Sequence, residues 1–176
     1  MAKLIYSLIA VLILLVGCSN NSTTKEEDTK EEASFDETQK EVVDFINNDV
    51  AKVSAYETEA NEALETVTGD NFKSDEELYK VLINQVIPTY EKAVNEAKNM
   101  EVTSSELKPL KKQMEEATST YYDALQLEKQ GLETKEEDLF GQSNAKAQEY
   151  LLLIKDYHED MAKLAKKYDI DYQSEQ

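Results

Sequence analysis

Apolar residues recur at alternating intervals of three and four positions along most of the chain after residue 42, and this spacing restricts the fold more than any other feature. Such spacing places the apolar side chains on one face of an α-helix, which has about 3.6 residues per turn. No stretch shows the sustained polar–apolar alternation, bounded by hairpin turns, that indicates β-strands. The sequence therefore predicts an all-α fold, an antiparallel bundle of three or four long amphipathic helices.

Four segments carry this pattern, and each is expected to bury one stripe of side chains. The stripes are Val43, Ile46, Val50, Val53, Ala60, Leu64 and Val67 in the first segment; Leu78, Val81, Leu82, Val86, Tyr90, Ala93, Val94, Ala97 and Met100 in the second; Leu107, Leu110, Met114, Ala117, Tyr121, Leu125 and Leu132 in the third; and Ala147, Tyr150, Leu151, Ile154, Tyr157, Met161, Leu164 and Tyr168 in the fourth. Glu57 is the one polar interruption of the first stripe.

Three tetrapeptides fit the capping box, in which a Ser or Thr side chain binds the amide three residues later and a Glu at that position reciprocates. They are Ser34–Glu37, Ser74–Glu77 and Thr103–Glu106, and each is expected to open a helix. Residues 130–144 are harder to place, because Thr134–Glu137 could open another helix but a glycine follows soon after. We expect a connection there.

Two prolines fall within the helical segments. Pro88 is expected to kink or locally unwind the second helix, because it lacks an amide hydrogen and crowds Asn84. That could open a groove beside Gln85 and Thr89 for a small ligand or peptide; a bend that only wraps the helix around its neighbours is the alternative. Pro109 lies early in the third segment, where it is tolerated if the helix starts a few residues later.

The charge balance argues against nucleic acid as a partner. The 37 Asp and Glu residues outnumber the 19 basic residues, all of them Lys, and give a net charge of -18. Binding to phosphates needs a clustered basic face, and the bidentate phosphate clamp that Arg provides is missing. A single Cys cannot form an internal disulfide or a multi-cysteine metal site.

The N-terminus has the features of a secretory signal. Lys3 provides a positive start, and residues 4–16 form an apolar run with only Tyr6 and Ser7 as polar groups. As a helix this run would span about 20 Å, short of the roughly 30 Å of a bilayer core. Its length predicts a cleavable targeting segment and not a membrane-spanning helix.

The end of this run, Leu15-Val16-Gly17-Cys18, resembles the bacterial lipobox. The resemblance implies transfer of diacylglycerol to Cys18, cleavage before it, and retention at the outer face of the cytoplasmic membrane. Membrane anchoring by more than one acyl chain is stable where a single chain is not. The composition, low in Arg and rich in Lys, is similar to that of Gram-positive lipoproteins. A non-lipidated signal or anchor that ends in a small apolar Cys is the alternative.

These features divide the chain into four predicted parts. Residues 1–17 are the signal peptide, 18–33 the lipidated Cys and a disordered linker, 34–168 the helical bundle and 169–176 a polar tail. The linker contains no large apolar residue and cannot offset the entropy of ordering.

The residues of common catalytic and metal sites are sparse, and we predict neither enzymatic activity nor a cofactor. His158 is the only His, and it is expected to lie partly exposed beside the last apolar stripe. A di-iron bundle needs two His residues, each preceded by a Glu three positions earlier, whereas position 155 is Lys. The acidic clusters are better explained by helix capping and solvation than by metal binding.

Tyr121 and Tyr122 are candidates for a partner-binding surface. Adjacent residues on a helix point about 100° apart, so both side chains cannot face one core. Tyr is favoured at protein interfaces. A position at the boundary of the bundle, with the hydroxyl group in water, is the alternative.

Together these observations predict a membrane-anchored extracytoplasmic lipoprotein with a protein partner and a non-catalytic role, as an adaptor, accessory or exclusion/immunity-type factor. The alternative is a lipoprotein that binds a ligand or cation through its acidic surface or through the groove near Pro88.

Overall fold

The computed structural model describes residues 29–173, with side chains from residue 34 onward. This part of the chain is all-α and contains four long helices. Helix α1 covers 29–65 and consists of Thr29–Asp44, a π-helical segment Phe45–Val50, and Ala51–Glu65. Helix α2 covers 75–99 and consists of Asp75–Val81, a π-helical segment Leu82–Val86, and Ile87–Asn99. Helices α3 and α4 are Leu107–Thr134 and Glu137–Lys167, and Gly69–Asn71 forms a 3₁₀ turn.

Each helix packs against the next along the chain, and the contact of α3 with α4 is the most extensive. The buried side chains form two clusters, and all four helices contribute to each. The first cluster contains Val42 and Phe45 from the first half of α1 together with Tyr157 and Met161 from the second half of α4. The same cluster contains Ala93 and Ala97 from the second half of α2 and Leu107 and Leu110 from the first half of α3. Helices that are consecutive in the chain therefore run in opposite directions.

The apolar stripes predict the core well, with one clear exception. Almost all of their members are buried or partly buried. Leu151 does not follow the prediction: it is 44% exposed, and its neighbour Leu152 is 65% exposed. Helix α4 buries a stripe that passes from Tyr150 to Tyr157, and Leu151 lies at the edge of that stripe.

The predicted start of the first helix, at Ser34, is wrong. Helix α1 begins at Thr29, and the Ser34 carbonyl accepts a hydrogen bond from Thr38 Oγ1 at 2.9 Å, as in a helix interior. Residues 29–33 contain Lys, Glu and Ala, which favour helices, and no Gly or Pro that would stop one. The remainder of the predicted linker, residues 18–28, lies outside the described residues.

The second capping box is confirmed as the start of a helix capped by Ser74, but the Glu77 carboxylate pairs with Lys73 at 3.2 Å and the reciprocal bond is not formed. Ser74 Oγ accepts a hydrogen bond from the Glu77 amide at 3.2 Å and caps α2. The third box is replaced by a different arrangement. Before α3, the carboxylate of Glu41 on α1 accepts from the amides of Thr103 at 2.5 Å and Ser104 at 3.1 Å. This side chain of another helix fixes the turn that leads into α3.

Both prolines behave as their positions predict. The π-helical segment Leu82–Val86 ends just before Pro88, so the helix is locally unwound where the ring would crowd the Asn84 carbonyl. Pro109 is the third residue of α3, where the backbone amides have no partner within the helix.

The connection between α3 and α4 is only two residues long. Lys135 adopts a left-handed conformation with φ of 61°, and its amide donates to the Gly131 carbonyl at 2.8 Å. A Cβ atom at Gly131 would lie 2.9 Å from the ring of Phe140, so this glycine allows α4 to approach α3 closely. Gly141 lies inside α4.

The segment that follows α4, expected to be a polar tail, packs against the bundle. Asp169 adopts φ of 52°, and the amide of Ile170 donates to the Ala165 carbonyl at 2.9 Å. Ile170 is buried in the first cluster, and Tyr172 packs against the same cluster. Residues 174–176 lie outside the described residues.

Candidate functional site

The most unusual group in the described part of the chain is a carboxyl group inside the bundle. Glu57, the polar interruption of the first stripe, is 6% exposed. Its Oε1 atom accepts hydrogen bonds from Tyr90 Oη at 2.6 Å and from Tyr150 Oη at 3.3 Å. One carboxyl group thus connects α1 to α2 and α4.

The remaining helix, α3, reaches this group through an aromatic side chain. The ring of Tyr121 lies between those of Tyr90 and Tyr150, with centroid distances of 4.9 and 5.0 Å. The three rings are tilted against one another, an arrangement that is favourable for aromatic pairs. We call Glu57 and these three Tyr residues the tyrosine–glutamate layer.

The layer raises the pKa values of its members. Burial raises the pKa of Glu57, and the hydrogen bonds from Tyr90 and Tyr150 oppose that shift only in part. Burial, reinforced by the nearby Glu57 carboxyl, also raises the pKa values of both of these hydroxyl groups. Chemically, the layer holds a carboxyl group that retains its proton to higher pH than an exposed one.

Two polar atoms, one in the layer and one in the next turn of α1, are buried without a hydrogen-bond partner. Asn61, one turn after Glu57, donates through Nδ2 to the Glu57 backbone carbonyl at 2.6 Å. Its Oδ1 atom and the hydroxyl of Tyr121 have no partner among the described residues. Leaving such an atom without a partner costs about 1–3 kcal/mol.

A second buried carboxyl group belongs to Glu128 on α3. It is 7% exposed, and burial raises its pKa to about 7. The side chain of Ser143 on α4 opposes this shift, and Asp75 at the start of α2 adds to it. The hydroxyl group of Ser143 also donates to the Ala124 carbonyl at 2.8 Å.

The two tyrosines predicted to bind a partner occupy different environments. Tyr121 is 4% exposed and belongs to the core, so its ring is not available on the surface. Tyr122 is partly buried at the edge of the second cluster. The geometry therefore leaves Tyr122 as the residue of the pair that a partner could reach.

The residues of the groove predicted beside Pro88 also differ in their exposure. Gln85 and Pro88 are exposed, whereas Thr89 is buried. A concavity with a volume of about 600 Å³ lies elsewhere, between α1 and the loop before α3. It is lined by Ser34, Glu37, Thr38, Lys40, Glu41, Asp44, Phe45, Asp49, Glu101, Val102, Thr103 and Ser104. We call it the acidic groove.

His158 is partly buried beside the ring of Tyr157, and burial lowers its pKa. Its Nδ1 atom is 2.6 Å from the hydroxyl of Tyr172. In the part of the chain that the structure describes, no three His, Cys, Asp or Glu residues are grouped so that they could hold a metal ion.

The sequence identifies Glu57 only as the polar interruption of the first apolar stripe and predicts no role for it. The signal was present, because a polar residue at a core position of a helical stripe must find partners there. Its partners Tyr90 and Tyr150 were assigned to the core by their spacing alone. Cys18, the predicted lipidation site, lies outside the described residues.

No protein-family model, curated protein or solved structure matches this chain. None of the helices between residues 29 and 173 is both long and apolar enough to cross a membrane.

Proposed function

We propose that this protein is a lipoprotein, anchored through diacylglycerol at Cys18 to the outer face of the cytoplasmic membrane of a Gram-positive bacterium. Its helical bundle acts there as a non-catalytic interaction module that binds another protein, as an adaptor, accessory or exclusion/immunity-type factor. The observation that carries the proposal is the lipobox-like Leu15-Val16-Gly17-Cys18 followed closely by a helical bundle.

The position of the bundle supports a role near the membrane. Residues 19–28 separate Cys18 from the start of α1, and a fully extended chain of this length reaches at most about 40 Å. A segment that is less than fully extended would hold the bundle closer to the lipid surface. The bundle would thus meet partners that are themselves within a few tens of ångströms of the lipid surface.

Replacing Cys18 by Ala is expected to abolish lipid labelling and to leave the protein unprocessed or released from the membrane, because the acyl acceptor is the Cys sulfur. The measurement is metabolic labelling with a fatty-acid analogue, followed by fractionation of cells. Ser19→Ala, next to the acceptor, is the matched control and should be labelled normally. Normal labelling of the Cys18→Ala chain would contradict the anchor.

Replacing Tyr122 by Ala is expected to reduce capture of a specific partner when the full-length protein is crosslinked in intact cells, because Tyr122 is the reachable member of the predicted pair. Tyr79→Ala on α2, also partly exposed, is the matched control. Equal capture of the partner by both variants would show that Tyr122 does not contribute to the contact. Failure to capture any specific protein would contradict the interaction module.

The acidic groove favours a second candidate function, the binding of a basic peptide or cation. Burial and the neighbouring Glu96 and Asp44 raise the pKa of Asp49 at its edge, whereas Lys52 opposes that shift. Such a concentration of negative charge attracts cations over a distance set by the salt concentration. Capture that disappears at high salt would favour this alternative over a Tyr-centred protein contact.

A further inference from the structure

The most exposed large apolar side chain among the described residues is Leu152, on the outer face of α4. Leu151 beside it is also exposed, so each copy of the chain presents two adjacent leucines to solvent. Glu149 and Lys155 lie three residues before and three residues after Leu152. Their side chains are 51% and 69% exposed and pair only within α4, with Lys146 and Glu159.

This sequence around Leu152 is complementary to itself when the helix is reversed. In two antiparallel helices related by a two-fold axis through Leu152, each residue lies opposite the one that is equally far on the other side of the axis. Glu149 of one copy therefore faces Lys155 of the second copy, and the contact occurs twice. In a parallel pair the same residues would face their own copies, and like charges would repel.

The ends of the same face also fit this arrangement. Gly141 and Ala145, which are exposed and small, precede Leu152 by eleven and seven positions. Reversal about the axis places them opposite Lys163 and Glu159, whose long side chains need space at a close helix crossing. The four leucines, Leu151 and Leu152 of each copy, would be the apolar centre.

We propose that two copies of this chain associate through the outer faces of their α4 helices, antiparallel to each other and with the two-fold axis at Leu152. With a centre of only four leucines, the contact is smaller than the roughly 1,600 Å² of a standard interface, and the dimer is transient. The association does not require Cys18, so it can hold or fail independently of the anchor.

The orientation can be tested in the Cys18→Ala background with two variants that each carry one cysteine, Gln148→Cys and Asp156→Cys. Both positions are exposed, so the fold is retained, and melting followed by circular dichroism checks this. In the proposed dimer, position 148 of one copy faces position 156 of the other. Identical positions of the two copies are about 12 Å apart, measured along the helix axis. Oxidation of a mixture should give about tenfold more disulfide dimer than oxidation of either variant alone.

The Cys18→Ala chain without an added cysteine, and the same chain with Glu62→Cys at an exposed site on another helix, are the controls for background crosslinking. In the Cys variants, Glu149→Lys and Lys155→Glu should each lower the dimer yield about tenfold, and the two together should restore it. Only a dimer in which Glu149 of each copy faces Lys155 of the other predicts that the double variant regains the dimer yield. Crosslinking at background level, stronger crosslinking between identical positions, or failure of the double reversal to rescue would each overturn the proposal. A heavier adduct with another protein in place of the dimer would also overturn it.

Discussion

Replacing Tyr121 by Ala is expected to lower the free energy of unfolding by about 3–5 kcal/mol, as for other large aromatic side chains removed from a core. The ring lies between Tyr90 and Tyr150, and its removal would leave a cavity beside the buried Glu57 carboxyl. Tyr122→Ala, at the next position of the same helix, should cost about 1 kcal/mol or less because its ring is only partly buried. Urea unfolding of the two variants measures the difference.

The corresponding Phe variants separate ring packing from hydrogen bonding. Tyr121→Phe removes a buried hydroxyl that bonds to none of the described residues, so we expect stability to be retained or to rise. Tyr90→Phe removes the donor 2.6 Å from Glu57 and should cost about 1–3 kcal/mol. Equal losses from these two Phe variants would show that the layer is arranged differently.

Raising the pH from 5 to 8.5 is expected to lower the free energy of unfolding by between about 2 and 3 kcal/mol through Glu128. In the folded protein its pKa is raised to about 7 from the model-compound value of 4.5, so the folded state binds the proton more tightly than the unfolded state. Stability from this group is complete below about pH 4.5 and is lost as the pH rises through 7. The buried Glu57 acts with the same sign.

The measurement is urea unfolding at a series of pH values from 5 upward. This range lies above that in which Glu41 and Glu106, whose pKa values are lowered, would act with the opposite sign. His158, whose pKa burial lowers, opposes the trend between pH 5 and about 6.5, and comparison with the Glu128→Gln variant removes its contribution because both chains contain it. Glu128→Gln should reduce the dependence, leaving the part due to Glu57, and stabilise the bundle at pH 8.5, whereas Glu62→Gln, at an exposed carboxylate, should do neither. A Glu128→Gln chain that keeps the full pH dependence of the parent would contradict the assignment.

The helical class and most of the core follow from the sequence because burial on a helix requires a regular spacing that the residues display directly. The local unwinding before Pro88 is the clearest local feature that the sequence predicts. A residue that lacks an amide hydrogen and crowds the Asn84 carbonyl disturbs the hydrogen bonding of a helix. The start at Ser34 was wrong because a capping box is also compatible with a helix interior when the preceding residues favour helix, as 29–33 do.

The candidate site could be predicted only in part, because its contacts join residues that are far apart in the sequence. Spacing assigned Tyr90, Tyr121 and Tyr150 to the core but could not show that they surround Glu57. Ile170 was missed because one apolar residue in a polar segment has no periodicity. The π-helical segment in α1 contains no proline to mark it.

The two ends of the described chain meet at one end of the bundle, and this has a mechanical consequence. The ring of Phe35 lies 4.9 Å from that of Tyr168, and Gln39 Nε2 donates to the Tyr168 carbonyl at 2.6 Å. Glu41 holds the loop before α3 at the same end. A force applied at the start of α1 would enter the bundle here, so these cross-connections would carry the load before the tyrosine–glutamate layer experienced any force.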